Sequence, residues 1–436
     1  MSCVRGLVNS RSMGAVWLRY ACGVFQSVWF QNAGALAGAS QLVASGIGHR
    51  RAAMEVVIAS LPRHWGFLAC SGVSDLVRAL ERAAPSHEDL RAVCDAGCVS
   101  AALASALASE PNAIDVNVPP EGALLFEGDP LATIEGPLWQ VWLAVDTISA
   151  LLGRWSAVCT RAARLNLASG HGNIVDATSV SALRAEDAVS IARSAYVGGA
   201  VATQSPAAAV DLGLDLRFAP APEAVALSQD DGTPRTGAWA VQSSADDIVV
   251  DLGPGHDEEE TLAELRRLGV ARGSFAARGL TREPDGLRLR RDLVALEDAG
   301  VWAPRLGVIP DPSVHPGRKI LVRYLDRAGR PIADVLHGVS ERLQPAAEAR
   351  IVRHPGVQTS SAIDGAVSAQ PVLVAVLRSG RRVGPDDPSA VARRRLADAL
   401  NLLPLSFKRL RYPSRFPVGV SPSLAALEGD LFARLA

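Results

Sequence analysis

The apolar positions along the chain change period several times. "SDLVRALERA" (74–83) is amphipathic at helical spacing and opens with Ser74 as N-cap, and "EDLRAVCDAG" (88–97) predicts a second helix stopped by Gly97. The period then shortens. "IDVNVPPEGALLFEGDPLATIEGPL" (114–138) alternates short β-rich runs with Pro and Gly turns, which predicts a small antiparallel sheet. A long apolar helix follows over 139–169, with Gly153 as its candidate break.

Beyond it, strand-like and helix-like runs alternate. These are "GNIVDAT", "RAEDAVSIARSAYVG", "LDLRFAP", "DDIVVDLG", "EEETLAELRRLGV" and "LRRDLVALEDAGV", the last two read as helices. That alternation predicts parallel βαβ units. The C-terminal part predicts a hairpin over 317–336 turning at Ala328–Gly329, a strand pair over 371–383 and a helix over 387–404 that ends before Pro404.

Composition narrows the function classes. At 436 residues the chain has room for two domains, and 48% hydrophobic with 20% charged residues is an ordinary globular balance. A net charge of -1 gives no field that would draw nucleic acid or an anionic membrane. Lysine occurs only at Lys319 and Lys408, so there is no Gly-Lys-Ser/Thr phosphate loop and little scope for a Schiff-base lysine. Six cysteines are too sparse for a disulfide scaffold, and Cys94 and Cys98 lack further ligands at zinc spacing. A reduced, cytoplasmic setting is the simplest expectation. Residues 1–49 form an atypical extension: the first acid is Glu55, and no charge falls between Tyr20 and Gly48. A membrane or export segment is one reading, but Gln26, Gln31, Asn32 and Gln41 favour a packed or poorly ordered extension.

Several stretches, taken in order, resemble the nicotinate phosphoribosyltransferase family. "VPPEGALLFEGDPLATIEGPLWQVWLAVDT" resembles its Pro-Glu-Gly turn and long central helix, and "CTRAARLNLASG" the end of that helix, with Arg161 in place of lysine. "IARSAYVGGAVATQS" is similar to the family's Arg-Ala-Ala-Tyr-Ile-Gly-Gly stretch. "HPGRKILVRYLDRAGRPIADVL" and the segment from "GRRV" to "RYPSRFPVGVSPSLAAL" are similar to its C-terminal strands, last helix and tail. The resemblance runs from about His49 to the C-terminus.

It implies an α/β fold: an irregular, incomplete α/β barrel of the type II phosphoribosyltransferase kind over 139–314, and a second α+β domain built from 50–138 and 315–436. It also implies the family reaction, joining nicotinate to the ribose of phosphoribosyl pyrophosphate (PRPP) to give nicotinate mononucleotide for NAD synthesis. Mg²⁺ and ATP enter only if that activity survives. The implied partners are PRPP and nicotinate, with a homodimer or another protein as the assembly.

The site positions depart from the family pattern. The family's catalytic histidine corresponds to Pro222, which has no nucleophile and no N–H. Glu223 beside it is a candidate for acyl-phosphate formation, and His171 an alternative nucleophile. The Glu-Phe-Gly-Leu-Arg-Arg strand end becomes "DATSVS", leaving Asp176 but no arginine, with Arg184 three residues beyond as a substitute. Of the Gly-Thr-Ser-Asn loop only Thr203 remains, and Asp251 matches one further strand-end acid. The candidate substrate-binding residues are therefore Arg161, Arg164, Asp176, Arg184, Thr203 and Asp251, with no metal set assigned. The acidic run 256–260 reads as a helix N-terminus complementing its dipole. Only the fourteen residues "VWAPRLGVIPDPSV" separate Gly300 from His315, too few for another βαβ unit of about 30 residues. The expectation is a retained framework with transfer lost, against the alternative of a transferase working without the histidine.

Overall fold

The computed structural model describes residues 27–170, 173–179, 182, 185–217, 240–244, 247–251, 274–306, 314–353 and 360–434. Helices α1 (Ala33–Ala44), α2 (Val73–Glu81), α3 (His87–Asp95) and α4 (Ala101–Ser109) come first. They precede the 31-residue α5 (Leu138–Ala168). Helices α6 (Ala185–Val197), α7 (Pro206–Leu212), α8 (Ser389–Leu402) and α9 (Pro422–Ala433) follow.

Three main sheets make up the fold, two of them packed on α5. A seven-stranded antiparallel sheet runs in the order 301–304, 288–298, 51–60, 130–137, 115–118, 374–378, 381–382. A six-stranded sheet runs 215–216, 202–203, 173–176, 274–277, 247–251, 240–244. In the latter five neighbouring strands are parallel and only the edge strand Ala240–Ser244 is antiparallel. A four-stranded sheet (368–371, 319–325, 331–338, 418–420) carries the C-terminal hairpin.

The central helix ties two cores together. Its first half buries Val141, Ala144, Ile148 and Leu152 against Met54, Val56 and Ile134 of the antiparallel sheet. Its second half buries Trp155, Val158, Ala162 and Leu165 against Ile174, Phe275 and Ile191 of the parallel sheet. Each of the Val, Leu, Ile and Phe side chains so removed from water contributes about 1.5–3 kcal/mol. The helix does not break at Gly153, which is buried; a Cβ there would lie 2.7 Å from Leu289 Cδ1. Close approach of strand 288–298 explains that glycine.

The segment "LRRDLVALEDAGV" is corrected from helix to strand. Arg288–Asp298 pairs with Arg51–Ser60 on one side and Val301–Pro304 on the other. Its leucines at 289, 293 and 296 satisfy a helical period, yet two flanking strands supply ladder partners for its backbone, and tertiary pairing overrides local preference. Ser74 is also not the N-cap of α2. Gly72 holds that position, and Glu121 Oε1 accepts from the Gly72 and Val73 amides at 3.1 and 3.0 Å. A carboxylate distant in sequence satisfies the helix terminus. By contrast, α3 ends before Gly97, the hairpin turns at Gly329, and α8 stops short of Pro404 as the pattern predicts.

Within the N-terminal extension, residues 1–26 lie outside the described residues. The described remainder packs: Trp29 meets Trp139 edge to face at 5.4 Å, and Leu36 and Ala39 are buried in the same cluster. No helix among the described residues is long and apolar enough to cross a membrane.

Candidate functional site

The carboxyl ends of parallel strands are where an open α/β sheet presents ligand-binding groups. Asp176 ends strand 173–176, and Thr203, its in-register neighbour, ends strand 202–203. Asp251 ends strand 247–251 at the same edge, with 274–277 between.

Two of the expected residues make direct contact. Thr203 Oγ1 donates to Asp176 Oδ2 at 2.9 Å. The other carboxylate oxygen accepts from the amides of Thr178 at 2.9 Å and Ser179 at 3.2 Å. Ser179 Oγ lies 3.0 Å from Thr203 Oγ1, which also accepts from the Ser205 amide at 3.1 Å. Thr178 Oγ1 donates to the Ala277 carbonyl and accepts from the Leu280 amide, reaching across to the next strand. Asp176, Thr178, Ser179 and Thr203 are all buried. Burial raises the Asp176 pKa above the ordinary carboxylate range, against the opposing pull of these hydrogen bonds. The cluster fastens three strand ends to one another.

Thr178, Ser179 and Ser205 escaped the sequence reading. A signal was available: an Asp followed two and three residues later by Thr and Ser is an Asx-turn pattern.

The α5 arginines occupy a different environment. Arg164 is 1% exposed and donates through Nη2 to the Leu410 carbonyl at 3.1 Å, bracing the C-terminal loop. Arg161 donates to the Arg282 carbonyl at 3.1 Å, with its guanidinium 5.9 Å from the Trp65 ring centre. Neither is joined to the Asp176 cluster by these bonds. Arg184, His171, Pro222, Glu223 and the run 256–260 lie outside the described residues, as does the Asp251 side chain.

Glu121 makes a second constellation not anticipated from sequence. Besides capping α2, it accepts from Arg193 Nη2 of α6 at 2.5 Å, while Arg193 also donates to the Asp387 carbonyl at 2.7 Å. Arg395 of α8 bonds the Glu121 carbonyl and, at 2.7 Å, Asp387 Oδ2. These charges join segments from three parts of the chain.

A Mg²⁺ ion bound with phosphates needs carboxylate oxygens open to it. Asp176 does not fit: its oxygens already accept two amides and a hydroxyl, and it is 1% exposed. Among the described residues no group of three or more His, Cys, Asp or Glu side chains is arranged to hold a metal ion.

Comparison with known proteins agrees with this architecture. The family described as "Nicotinate phosphoribosyltransferase C-terminal domain" matches residues 318–428. Nicotinate phosphoribosyltransferase pncB2 of Mycobacterium tuberculosis is 26% identical over 163 residues, 37% of this chain and 35% of that protein. The Homo sapiens nicotinate phosphoribosyltransferase is 32% identical over 133 residues, 30% of this chain and 24% of that protein. These alignments thus span about a third or less of the curated relatives' length. The crystal structure of human nicotinic acid phosphoribosyltransferase superposes with a TM-score of 0.74 at 19% identity, over 92% of this chain and 100% of that one. A nicotinate-nucleotide pyrophosphorylase from Pyrococcus furiosus superposes at 0.56 with 14% identity, over 92% and 98% of the two chains. The mixed α/β fold is shared with both.

Proposed function

Because the chain belongs to the nicotinate phosphoribosyltransferase family, we propose that it keeps that family's framework, has lost phosphoribosyl transfer, and serves a binding or regulatory role linked to NAD salvage. One observation carries this reading. One surviving strand-end acid, Asp176, spends both oxygens on its own loop and on Thr203. A carboxylate so engaged is a structural fastening, and PRPP with Mg²⁺ would have to break it open. Arg164 Nη2, bonded to the Leu410 carbonyl, commits part of that guanidinium to the C-terminal loop. The histidine position, occupied by Pro222, supports it from sequence.

The six-stranded sheet is read as an incomplete barrel, since strand 288–298 leaves to join the antiparallel sheet. On this reading the α+β domain takes strands 288–304 together with the N- and C-terminal segments. The setting is cytoplasmic, and the protein pairs with a second copy or with another protein.

The alternative, a transferase working without the histidine, is favoured by one feature. Asp176 and Thr203 are held together at strand carboxyl ends, with Asp251 on the same edge. Incubating the pure protein with labelled nicotinate, PRPP and Mg²⁺, with and without ATP, separates the two. Absence of nicotinate mononucleotide supports the first, and multiple turnovers establish the second.

A further inference from the structure

A cleft of about 840 Å³ lies between the seven-stranded sheet, the four-stranded sheet and α9. That volume falls in the range of small-ligand sites, roughly 300–1,000 Å³. Its lining includes none of Asp176, Thr203, Asp251, Arg161 or Arg164. Trp65, which lies beneath Arg161, is the residue shared with the α5 arginines.

The charges of the cleft are unevenly matched. Four arginines, Arg63, Arg290, Arg353 and Arg415, line it against two carboxylates, Glu127 and Glu428. Both carboxylates are engaged: Glu428 Oε1 holds His315 Nδ1 at 2.7 Å, and Glu127 meets Arg415 at 3.3 Å. Arg290 is committed to Asp292 through Nε, at 2.9 and 2.7 Å to its two oxygens. Arg63 stands over the Tyr412 ring at 5.6 Å. Among the described residues neither Arg63 nor Arg353 is paired with a carboxylate. The Arg415 side chain is 86% exposed, so its contact with Glu127 is easily exchanged.

We propose that this cleft binds a small anion carrying more than one phosphate group, gripped by Arg63, Arg353 and Arg415. Guanidinium groups pair phosphate oxygens in a two-pronged geometry that a lone carboxylate ligand would use only once. Cations placed on separate segments, 61–66, 352–353 and 413–420, suit an anion with several charged groups spread along it. His315, oriented by Glu428, supplies one further polar wall. This goes beyond the loss of transfer proposed above and would give the retained framework a ligand.

The test is calorimetric titration of the full chain with inorganic tripolyphosphate, without nicotinate. Saturable binding at one site per chain is expected. The double variant Arg353→Glu/Arg415→Glu changes two exposed side chains and should weaken it about tenfold or more. A charge-matched double variant elsewhere on the surface, Arg91→Glu/Arg327→Glu, should leave it within about twofold. No binding to the unmodified chain, or an equal loss in both double variants, overturns the proposal. The transfer assay is independent of this titration, so failure of either reading is recognised separately.

Discussion

Thr203 Oγ1 donates a 2.9 Å hydrogen bond to Asp176 Oδ2, joining the ends of two neighbouring parallel strands. Both residues are buried, and the bond is one of three that fill the carboxylate. A residue position associated by resemblance with ligand binding is here occupied by a fastening.

Removing that fastening leaves buried donors without acceptors. Asp176→Ala is expected to cost about 3 kcal/mol of stability in urea unfolding, since each orphaned buried polar group costs about 1–3 kcal/mol. Asp176→Asn keeps an acceptor for the two amides and a donor for Thr203 Oγ1, so its cost should be less than half as large.

Asp176 also predicts a pH dependence. Burial raises its folded pKa above the ordinary value, so the folded state holds this proton more readily than the unfolded one. Stability therefore falls as pH rises from the ordinary carboxylate range through the raised folded value, and recovers as pH falls back through it. The difference in unfolding free energy between the unmodified chain and Asp176→Asn, followed from acid to neutral pH, should show this slope. A flat difference would contradict the assignment.

The buried triad Asp129, Arg323 and Asp334 predicts unequal substitutions. Arg323 donates to both oxygens of Asp334, at 2.8 and 2.5 Å. Burial and the neighbouring Asp334 push the Asp129 pKa well above its ordinary value, although Arg323 opposes them. Asp129→Asn therefore resembles the protonated form and should cost about 1 kcal/mol or less. Asp334→Asn leaves the buried Arg323 charge without its main partner and should cost about 3–5 kcal/mol. Thermal and denaturant unfolding of the two variants gives the comparison.

Gly198 sits where α6 runs onto α5. A Cβ there would lie 2.4 Å from the Cys159 carbonyl oxygen, which is backbone and cannot rotate away. Gly198→Ala should cost about 1–3 kcal/mol through forced separation of the two helices. An unchanged melting temperature would contradict this.

Legibility from sequence followed the range of the interactions. Local signals located the C-terminal hairpin, α3, α8 and the small antiparallel strands, because turns, caps and alternation are encoded within a few residues. Strand 288–298 reads as a helix because its leucines fit a helical period and one of its two partners, Arg51–Ser60, lies more than two hundred residues earlier, although the other, Val301–Pro304, follows directly across the Ala299–Gly300 turn. Glu121 as the cap of α2 was invisible because it is distant in sequence. For the site, resemblance named Asp176 and Thr203, and they do meet. Sequence could not tell a carboxylate open to a ligand from one closed by Thr178 and Ser179. Nor could it show that Arg164 Nη2 reaches the Leu410 carbonyl, more than two hundred residues away.

The most direct test is a single-turnover experiment with the protein in excess over labelled nicotinate, at saturating PRPP and Mg²⁺, with and without ATP. With transfer lost, nicotinate is recovered unchanged under both conditions. Conversion of nicotinate to nicotinate mononucleotide under either would contradict that loss and would establish the chain as a transferase that works without the histidine.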